Sequence, residues 1–285
     1  MQNQHAKNLS ILLLGTLFVS TSGVLGRYIA MPAEAIILCR AFLASILMFV
    51  FCKYQKIDFT IKSKKDKISF LISGFLMGAH WVTYFYALKL SNVALGMLSI
   101  YTYPVITAFL EPFFSKQKIN VIHIFLAILV LIGVYILVPE FSLENNELQG
   151  ILFGILSAFF YALRNLMVKN EVKTYNGSLL MFYQMIVVTV FLIPTLFFSD
   201  FSNAIDELPL LLLVALLTTA IGHTLMVNSL KHFSATTTSI ISSVQPIFGI
   251  IIAYIFVNEV PSFTTFIGGG LILSTVIIES FRSSK

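Results

Sequence analysis

Aromatic and imidazole side chains are concentrated in one apolar stretch of the chain, GFLMGAHWVTYFYAL. His80 and Tyr84 lie four residues apart and would share one face of a helix, and Trp81 flanks that face. Rings and an imidazole on one face can bind an aromatic or cationic organic solute by stacking and cation–π contact. The alternative is an aromatic belt at a membrane surface, and both interpretations stay open at this point.

Two prolines interrupt apolar stretches that carry further polar side chains. Proline removes one helix hydrogen bond and frees the carbonyl four residues before it, so Pro104 should free Ile100 and Pro246 should free Ser242. Two kinked, polar-rich helices in corresponding positions are typical of a solute site near the membrane midplane, although packing kinks without solute contact are the equal alternative. The polar side chains beside these prolines are Tyr101, Tyr103, Ser243 and Gln245.

Other candidates lie in later apolar stretches. Arg164, with Asn165 beside it, can bind a solute carboxylate through two parallel hydrogen bonds, or it can tie helices together through Gln184. The imidazole of His223 completes this polar set. Polar groups inside a membrane are costly and tend to face the bundle interior or a water-filled cavity, so these residues are candidates for the lining of a pathway.

Four further charged residues are also candidates for a role. Glu111 either carries a coupling proton or, as we favour, pairs with a nearby lysine such as Lys116. Arg27 and Arg40 are expected to form a positive patch at the outer membrane surface, with Glu34 close by.

Composition shows where these residues must lie. Of the 285 residues, 58% are hydrophobic and 11% are charged, which a soluble domain of this size does not accommodate. The apolar runs are about 18–22 residues long, as membrane helices require, and lack the alternation of a β-barrel. The sequence therefore predicts an all-α membrane protein with ten transmembrane helices, at about 9–29, 35–52, 68–88, 92–114, 119–138, 149–169, 178–198, 208–228, 234–257 and 263–281.

Lysine and arginine placement predicts the orientation, with both termini cytoplasmic. The basic residues then on the inside are Lys7, Lys53, Lys56, Lys62, Lys64, Lys65, Lys67, Lys116, Lys118, Lys169, Lys173, Lys231, Arg282 and Lys285, whereas the outside loops hold only Lys89. Those outer loops are acidic: Glu34, Glu140, Glu144, Glu147, Asp200, Asp206, Glu207 and Glu259. Because the basic residues sort by membrane side, the net charge of +5 does not indicate a nucleic-acid partner.

Familiar catalytic and cofactor motifs are missing from the sequence. Cys39 and Cys52 lie 13 residues apart in one predicted helix, roughly 20 Å, so they cannot pair, and neither belongs to a metal-binding CxxC. The chain has no Walker A, HExxH or GxSxG motif, and every Asp lies in a loop. We therefore expect no enzyme activity, no metal and no cofactor.

The chain also contains an internal repeat. The segment 87–104, ALKLSNVALGMLSIYTYP, aligns without gaps to 229–246, SLKHFSATTTSIISSVQP, at an offset of 142 residues. At the same offset, His223 aligns with Trp81. Two halves, 1–140 and 141–285, would each hold five helices. Because five is odd, the second half must be inverted in the membrane, a pattern common in transporters.

These features together resemble the EamA family of the drug/metabolite transporter superfamily. The resemblance rests on AIILCRAFLASIL with Arg40, on YFYALKLSNVALGMLSIYTYPVITAFLEPFF, on NSLKHFSATTTSIISSVQPIFGIIIAYIFVNEVPS and on FIGGGLILSTVII, and it covers nearly the whole chain. Family members often end the fourth helix with Gly-Glu, where this chain has Ser115-Lys116-Gln117, but the ninth helix keeps the acid as Asn258-Glu259.

The resemblance implies a secondary transporter that moves a small organic metabolite across the inner (plasma) membrane. It implies an exporter or exchanger working by alternating access through a central cavity, and the candidate side chains suggest an amino-acid-like or aromatic/cationic solute. The alternatives are a non-transporting membrane receptor or scaffold and a haem-binding intramembrane enzyme that uses His80 and His223. Glycines in the first and tenth spans are expected to serve helix packing or a homodimer contact: Gly15, Gly23, Gly26, Gly268, Gly269 and Gly270.

Overall fold

The computed structural model describes residues 2–115, 121–137 and 144–283, and these are helical or in short connections, without a strand. The helices are α1 (Gln2–Tyr28), α2 (Ala33–Tyr54), α3 (Lys64–Leu90), α4 (Val93–Ile100), α5 (Tyr103–Ser115), α6 (Val121–Leu137), α7 (Asn146–Glu171), α8 (Gly177–Leu192), α9 (Leu208–Leu213), α10 (Thr224–Ser229), α11 (Ala235–Ile241), α12 (Gln245–Val257) and α13 (Phe263–Ser283). Lys116, Lys118, Glu140 and Lys285, the ends of the predicted span 119–138 and the predicted boundary at 140/141 lie outside the described residues.

Eight helical segments within the described residues are long and apolar enough to cross a membrane. Two shorter apolar helices, Ile128–Leu137 and Phe263–Thr275, fall within the other two predicted spans. The protein is thus a multi-pass membrane protein, because helices of this composition satisfy their backbone in lipid while exposing apolar side chains. The count of ten spans stays a prediction.

Contacts between helix ends show that successive helices run in alternating directions. At one end of the bundle, Arg27 donates to the carbonyl of Lys89 (3.0 Å) and pairs with Glu259 (3.5 Å). At the other end, Lys169 donates to the carbonyls of Leu230 (2.6 Å) and Phe233. The lysine-rich 53–67 connection and the acidic 199–207 connection accordingly lie at opposite ends.

Two helix pairs are broken where the prolines predict it. A turn at Tyr101–Thr102 separates α4 from α5, and a 3₁₀ segment, Ser242–Val244, separates α11 from α12. The starts of α11 and α12 each lie 142 residues after those of α4 and α5. One detail of the prediction is wrong: the Ser242 carbonyl is not freed, because the 3₁₀ geometry lets it accept from the Gln245 N–H.

A π-helix, Val214–His223, replaces the regular helix that the sequence predicts between α9 and α10. Thr218 and Thr219 both direct their hydroxyls to the Val214 carbonyl, at 2.6 and 3.5 Å. The wider turn shifts the register of the side chains that follow it, and such segments often occur at functional sites. Apolar periodicity does not reveal the extra residue in the turn.

The two predicted halves interlock instead of forming separate bodies. Helix α3 packs against both α7 and α8, while α1 packs against the 208–229 segment and α12. Glycines permit these approaches: a Cβ at Gly15 would lie 3.1 Å from the Gly222 carbonyl, and one at Gly26 would lie 2.8 Å from the Phe85 ring. These glycines serve packing within the chain, while contact between two copies stays a prediction.

The glycine triplet of α13 offers a matched test of helix packing. A Cβ at Gly268 would lie 2.7 Å from the Gly133 carbonyl of α6, whereas nothing lies within 4 Å of a Cβ at Gly270. Because backbone cannot move aside cheaply, Gly268→Ala should destabilise the protein by about 1–3 kcal/mol. Gly270→Ala should leave the thermal unfolding midpoint of the purified protein unchanged, and equal midpoints for the two variants would contradict this packing.

Candidate functional site

A small cavity lies between α1, α3, α4, α5, α7, the π-helix and α12, deep among the helices. Seven of the predicted site residues line it: His80, Trp81, Tyr84, Tyr101, Tyr103, His223 and Gln245. Val19, Ser22, Ile100 and Tyr161 complete the lining. Its volume is only ≈ 20 Å³, room for roughly one water molecule, so the cavity is too small for an organic solute in this conformation.

Stacked rings form one wall of the cavity. His80 stacks on Tyr161 with ring centroids 4.3 Å apart, and it lies parallel to Tyr84 at 6.2 Å. Trp81 and His223, which the repeat places in corresponding positions, meet at 5.3 Å. These residues are buried inside the bundle, so the aromatic-belt interpretation of His80 and Trp81 is wrong.

Helix α7 holds His80 in place. The His80 ring nitrogen Nδ1 lies 2.8 Å from the Ser157 hydroxyl, and that hydroxyl donates to the His80 carbonyl at 2.7 Å. Ser157, Tyr161 and Arg164 follow one another at spacings of four and three residues, which places them on one face of α7. The same face therefore positions the imidazole and supplies the ring stacked on it.

The two broken helix pairs meet across the cavity. The Tyr101 hydroxyl donates to the Gln245 side-chain oxygen (2.5 Å), and the Tyr103 hydroxyl donates to the Ser239 carbonyl (3.1 Å). Ser243 donates to that same carbonyl within its own helix and is absent from the cavity lining. Both tyrosines and Gln245 thus lie at the cavity, whereas Ser243 does not.

Arg164 ties helices together. Its Nε and Nη2 donate to the Gln184 oxygen at 3.1 and 2.6 Å, and its Nη1 donates to Asn165 at 2.9 Å. Gln184 in turn donates to Ser73 of α3 at 3.1 Å. The sequence allows Arg164 either to bind a solute carboxylate or to tie helices together, and these contacts support the second role. Arg164, Asn165 and Gln184 lie outside the cavity lining.

The predicted outer patch of Arg27, Arg40 and Glu34 is wrong for Arg40. Arg40 has no exposed surface, its Nε donates to Thr219 (2.7 Å), and its guanidinium carbon lies 3.9 Å from the Trp81 ring centroid. Arg27 instead pairs with Glu259. The rotation of α2 turns Arg40 inward, and a single sequence does not fix that rotation.

Glu34 lies at the helix end, apart from Arg40. It accepts hydrogen bonds from the hydroxyls of Tyr86 (2.8 Å) and Ser199 (2.6 Å). This carboxylate therefore links α2 to α3 and to the connection that contains Ser199, at the end of the bundle.

Glu111 lies at the opposite end of the bundle from Glu259. Its carboxylate accepts from the backbone N–H of Thr236 (3.3 Å) and from the Thr236 hydroxyl, at the start of α11. Lys116, its predicted partner, lies outside the described residues. These contacts join α5 to α11, so they are a further link between the two broken helix pairs.

Sequence reasoning missed three residues at the centre: Ser22, Tyr161 and the inward position of Arg40. The spacing of Ser157, Tyr161 and Arg164 was a usable signal for Tyr161, since all three are polar and share a helix face. Arg40 was visible as a charge inside an apolar run, which itself favours an interior position.

Comparison with known proteins agrees with this architecture. The sequence profile of the EamA-like transporter family matches residues 7–138 and again 148–281. The chain belongs to the EamA-like transporter family. As a member of that family it is a transporter of small metabolites.

Individual relatives are distant. A pseudopaline exporter of Pseudomonas aeruginosa is 24% identical over 257 residues, which cover 90% of this chain and 88% of the relative. An S-adenosylmethionine uptake transporter of Rickettsia conorii is 23% identical over 278 residues, covering 96% and 92%. A solved structure with 14% sequence identity has a TM-score of 0.73 over 97% of both chains, which shows that the fold is shared.

In this EamA-like transporter, substitutions of Gln184 test whether its hydrogen bonds with Arg164 stabilise the helix bundle. Gln184→Leu leaves a buried guanidinium without its main acceptor and should cost roughly 3–5 kcal/mol of stability. Gln184→Glu keeps the hydrogen-bond acceptor and should retain most of the stability of the wild type. Thermal unfolding of both purified variants measures the difference, and a stable Gln184→Leu protein would show that Arg164 has another sufficient partner.

Proposed function

We propose that this transporter carries an amino-acid-like or aromatic solute through the central cavity by alternating access. The observation that carries the proposal is the small, ring-lined cavity to which α3, α4, the π-helix and α12 all contribute side chains. Rings supply stacking surface, and His80, Gln245 and the tyrosines supply hydrogen-bonding groups that fix orientation.

The volume of the cavity indicates that transport requires helix movement. A cavity of ≈ 20 Å³ is far smaller than the roughly 300–1,000 Å³ typical of organic-ligand sites. The breaks between α4 and α5 and between α11 and α12 adjoin the cavity and provide places where short half-helices can tilt. We infer that the structure represents an occluded state between two open ones.

The proposed frame is ten spans in two inverted halves, 1–140 and 141–285, with both termini cytoplasmic in the inner membrane. Three observations support it: the shared 142-residue spacing of the two helix breaks, the meeting of Trp81 with His223, and the double match of one family profile. The sorted lysines support the orientation.

The proposed direction is export or exchange. One relative is named as an exporter and another as an uptake transporter, so related chains work in both directions. An exchanger accounts for both, since the same alternating movement carries solute either way and the gradients decide the net flow.

The alternatives fit the structure less well. Tyr161 packs against both His80 and His223, with ring centroids 4.3 and 6.3 Å away, so a haem held by the two imidazoles would have to displace this ring. A receptor or scaffold has no need for buried polar side chains at its centre, which cost stability in an apolar interior.

Flux measurements with cavity variants test the proposal. Proteoliposomes containing the protein should move at least one solute from a panel of amino acids and aromatic metabolites. His80→Ala, Trp81→Ala and Gln245→Ala should each lower that flux about tenfold, the factor that corresponds to about 1.4 kcal/mol of lost contact. Folded yield should fall less than flux.

Tyr254→Ala, which removes an exposed ring from the same helix as Gln245, is the matched control and should leave flux unchanged. Absence of flux across the whole panel would remove the proposed function. Parallel losses of flux and folded yield would make the three residues structural.

Coupling to protons gives a separate prediction for Glu111. Its carboxylate oxygen accepts from Thr236, and the amide oxygen of a glutamine side chain at the same position could accept the same hydrogen bonds. Glu111→Gln should therefore keep the flux and its dependence on an imposed pH gradient within about twofold, since the amide oxygen retains both hydrogen bonds from Thr236. Loss of the gradient dependence in this variant alone would instead identify Glu111 as the coupling residue.

A further inference from the structure

Arg40 occupies an unusual position for a charged side chain. It lies seven residues into α2, about 10 Å along the helix axis, and has no exposed surface. Its Nε donates to Thr219 at 2.7 Å, and its guanidinium lies against Trp81, 3.9 Å from the ring centroid, and 5.8 Å from that of Phe85. One edge of the guanidinium is thus held in a fixed orientation.

The other edge has no protein partner. Neither Nη1 nor Nη2 of Arg40 has a hydrogen bond within the described parts of the chain, although both atoms are buried. Arg164, the other arginine that is buried among the described side chains, has hydrogen bonds at Nε, Nη1 and Nη2. The fold can therefore satisfy a buried guanidinium completely, which makes the two unpartnered nitrogens of Arg40 costly and in need of an explanation.

Arg40 stacks on a residue of the cavity lining without being part of that lining, and another unpartnered group contacts the same residue. Trp81, on which Arg40 stacks, lines the cavity, and so does His223, whose ring centroid is 5.3 Å from that of Trp81. The Nδ1 atom of His223 is also buried without a partner. Within the described residues, none of the side chains that line the cavity is acidic, so the lining offers no counterion to Arg40.

We infer that the paired terminal nitrogens of Arg40 bind the carboxylate of the transported solute, with the Trp81 and His223 rings beside it. The inference rests on the proposed function and specifies its substrate class. A planar guanidinium presents two parallel N–H groups that match the two oxygens of a carboxylate. The solute supplies the charge that the protein leaves unpaired, when the cavity has opened enough to admit it.

The π-helix gives this arrangement its geometry. Thr219 lies within Val214–His223, and its hydroxyl is the acceptor that holds Nε. Because Nε is held and Trp81 covers one face, the free edge of the guanidinium is held in one orientation. Thr219 is thus a positioning residue for Arg40.

The inference also narrows the solute chemistry considered above. A solute that carries only positive charge would meet a buried arginine with no acid in the lining of the cavity. An amino acid or an aromatic acid satisfies both Arg40 and the rings, so a carboxylate is required and a lone cation is excluded.

Intrinsic fluorescence reports on this site directly, because Trp81 is the only tryptophan among the 285 residues. The test uses the full-length protein in lipid nanodiscs and two matched pairs of probes: L-phenylalanine with L-phenylalaninamide, and benzoate with benzylamine. The carboxylates should change the Trp81 emission with saturation. The amide and the amine should need at least tenfold higher concentrations, or give no saturable change.

Variants of Arg40 separate charge from geometry. Arg40→Lys keeps the positive charge but loses the paired N–H groups, and it should weaken the carboxylate response about tenfold. Arg40→Gln should abolish the preference for carboxylate over amide. Arg27→Gln, which removes a half-exposed arginine at the end of the bundle, is the charge control and should respond as the wild type does.

The thermal unfolding midpoint of each variant shows whether it folds. If Arg40→Gln does not fold, Arg40→Lys is the variant that decides the test. No response to either carboxylate, equal responses within each pair, or an unchanged carboxylate preference in Arg40→Lys would overturn the inference. Flux of solutes that lack a carboxylate, undiminished in Arg40→Lys, would overturn it while leaving the proposed function intact. Absence of flux for every solute would instead remove the proposed function.

Discussion

Hydrocarbon offers no hydrogen bonds, so each polar side chain inside this bundle must find its partner in the protein. That constraint accounts for the contacts that hold the helices together. Ser157 satisfies His80, Gln184 satisfies Arg164, and Gln245 satisfies Tyr101, in each case across two different helices. The first and third of these contacts place His80, Tyr101 and Gln245 at the cavity, so interactions that stabilise the bundle also build its centre.

Arg40 departs from this pattern and gives the centre its chemical character. A fold that binds Arg164 at three nitrogens leaves two nitrogens of Arg40 unpaired beside the tryptophan that lines the cavity. Such an arrangement costs stability in the closed protein and becomes favourable only when an anion arrives. The cost is consistent with alternating access, because binding energy realised only with solute present can shift the protein between states.

Much of the fold follows from sequence because membrane helices obey few rules. Apolar run length predicts the spans, and the prolines predict both helix breaks, at Tyr101–Thr102 and Ser242–Val244. The repeat sets His223 in correspondence with Trp81, and the two rings lie 5.3 Å apart in the structure. Helix rotation does not follow from these rules, because an all-apolar helix has no polar face to fix it. The position of Arg40 was therefore wrong, Ser243 lies away from the cavity, and the π-helix at Val214–His223 was unforeseen.

The central claim is that one cavity serves both sides of the membrane in turn. Solute counterflow tests it most directly: proteoliposomes are loaded with an unlabelled carboxylate solute and diluted into a trace of the same solute, labelled. Alternating access through one site predicts that the labelled solute accumulates transiently inside the proteoliposomes, above its equilibrium level. This is because each unlabelled molecule that leaves brings the binding site to face the outside, where it can bind labelled solute. A monotonic approach to equilibrium, unaffected by the preloaded solute, would indicate a simple pore and contradict the account.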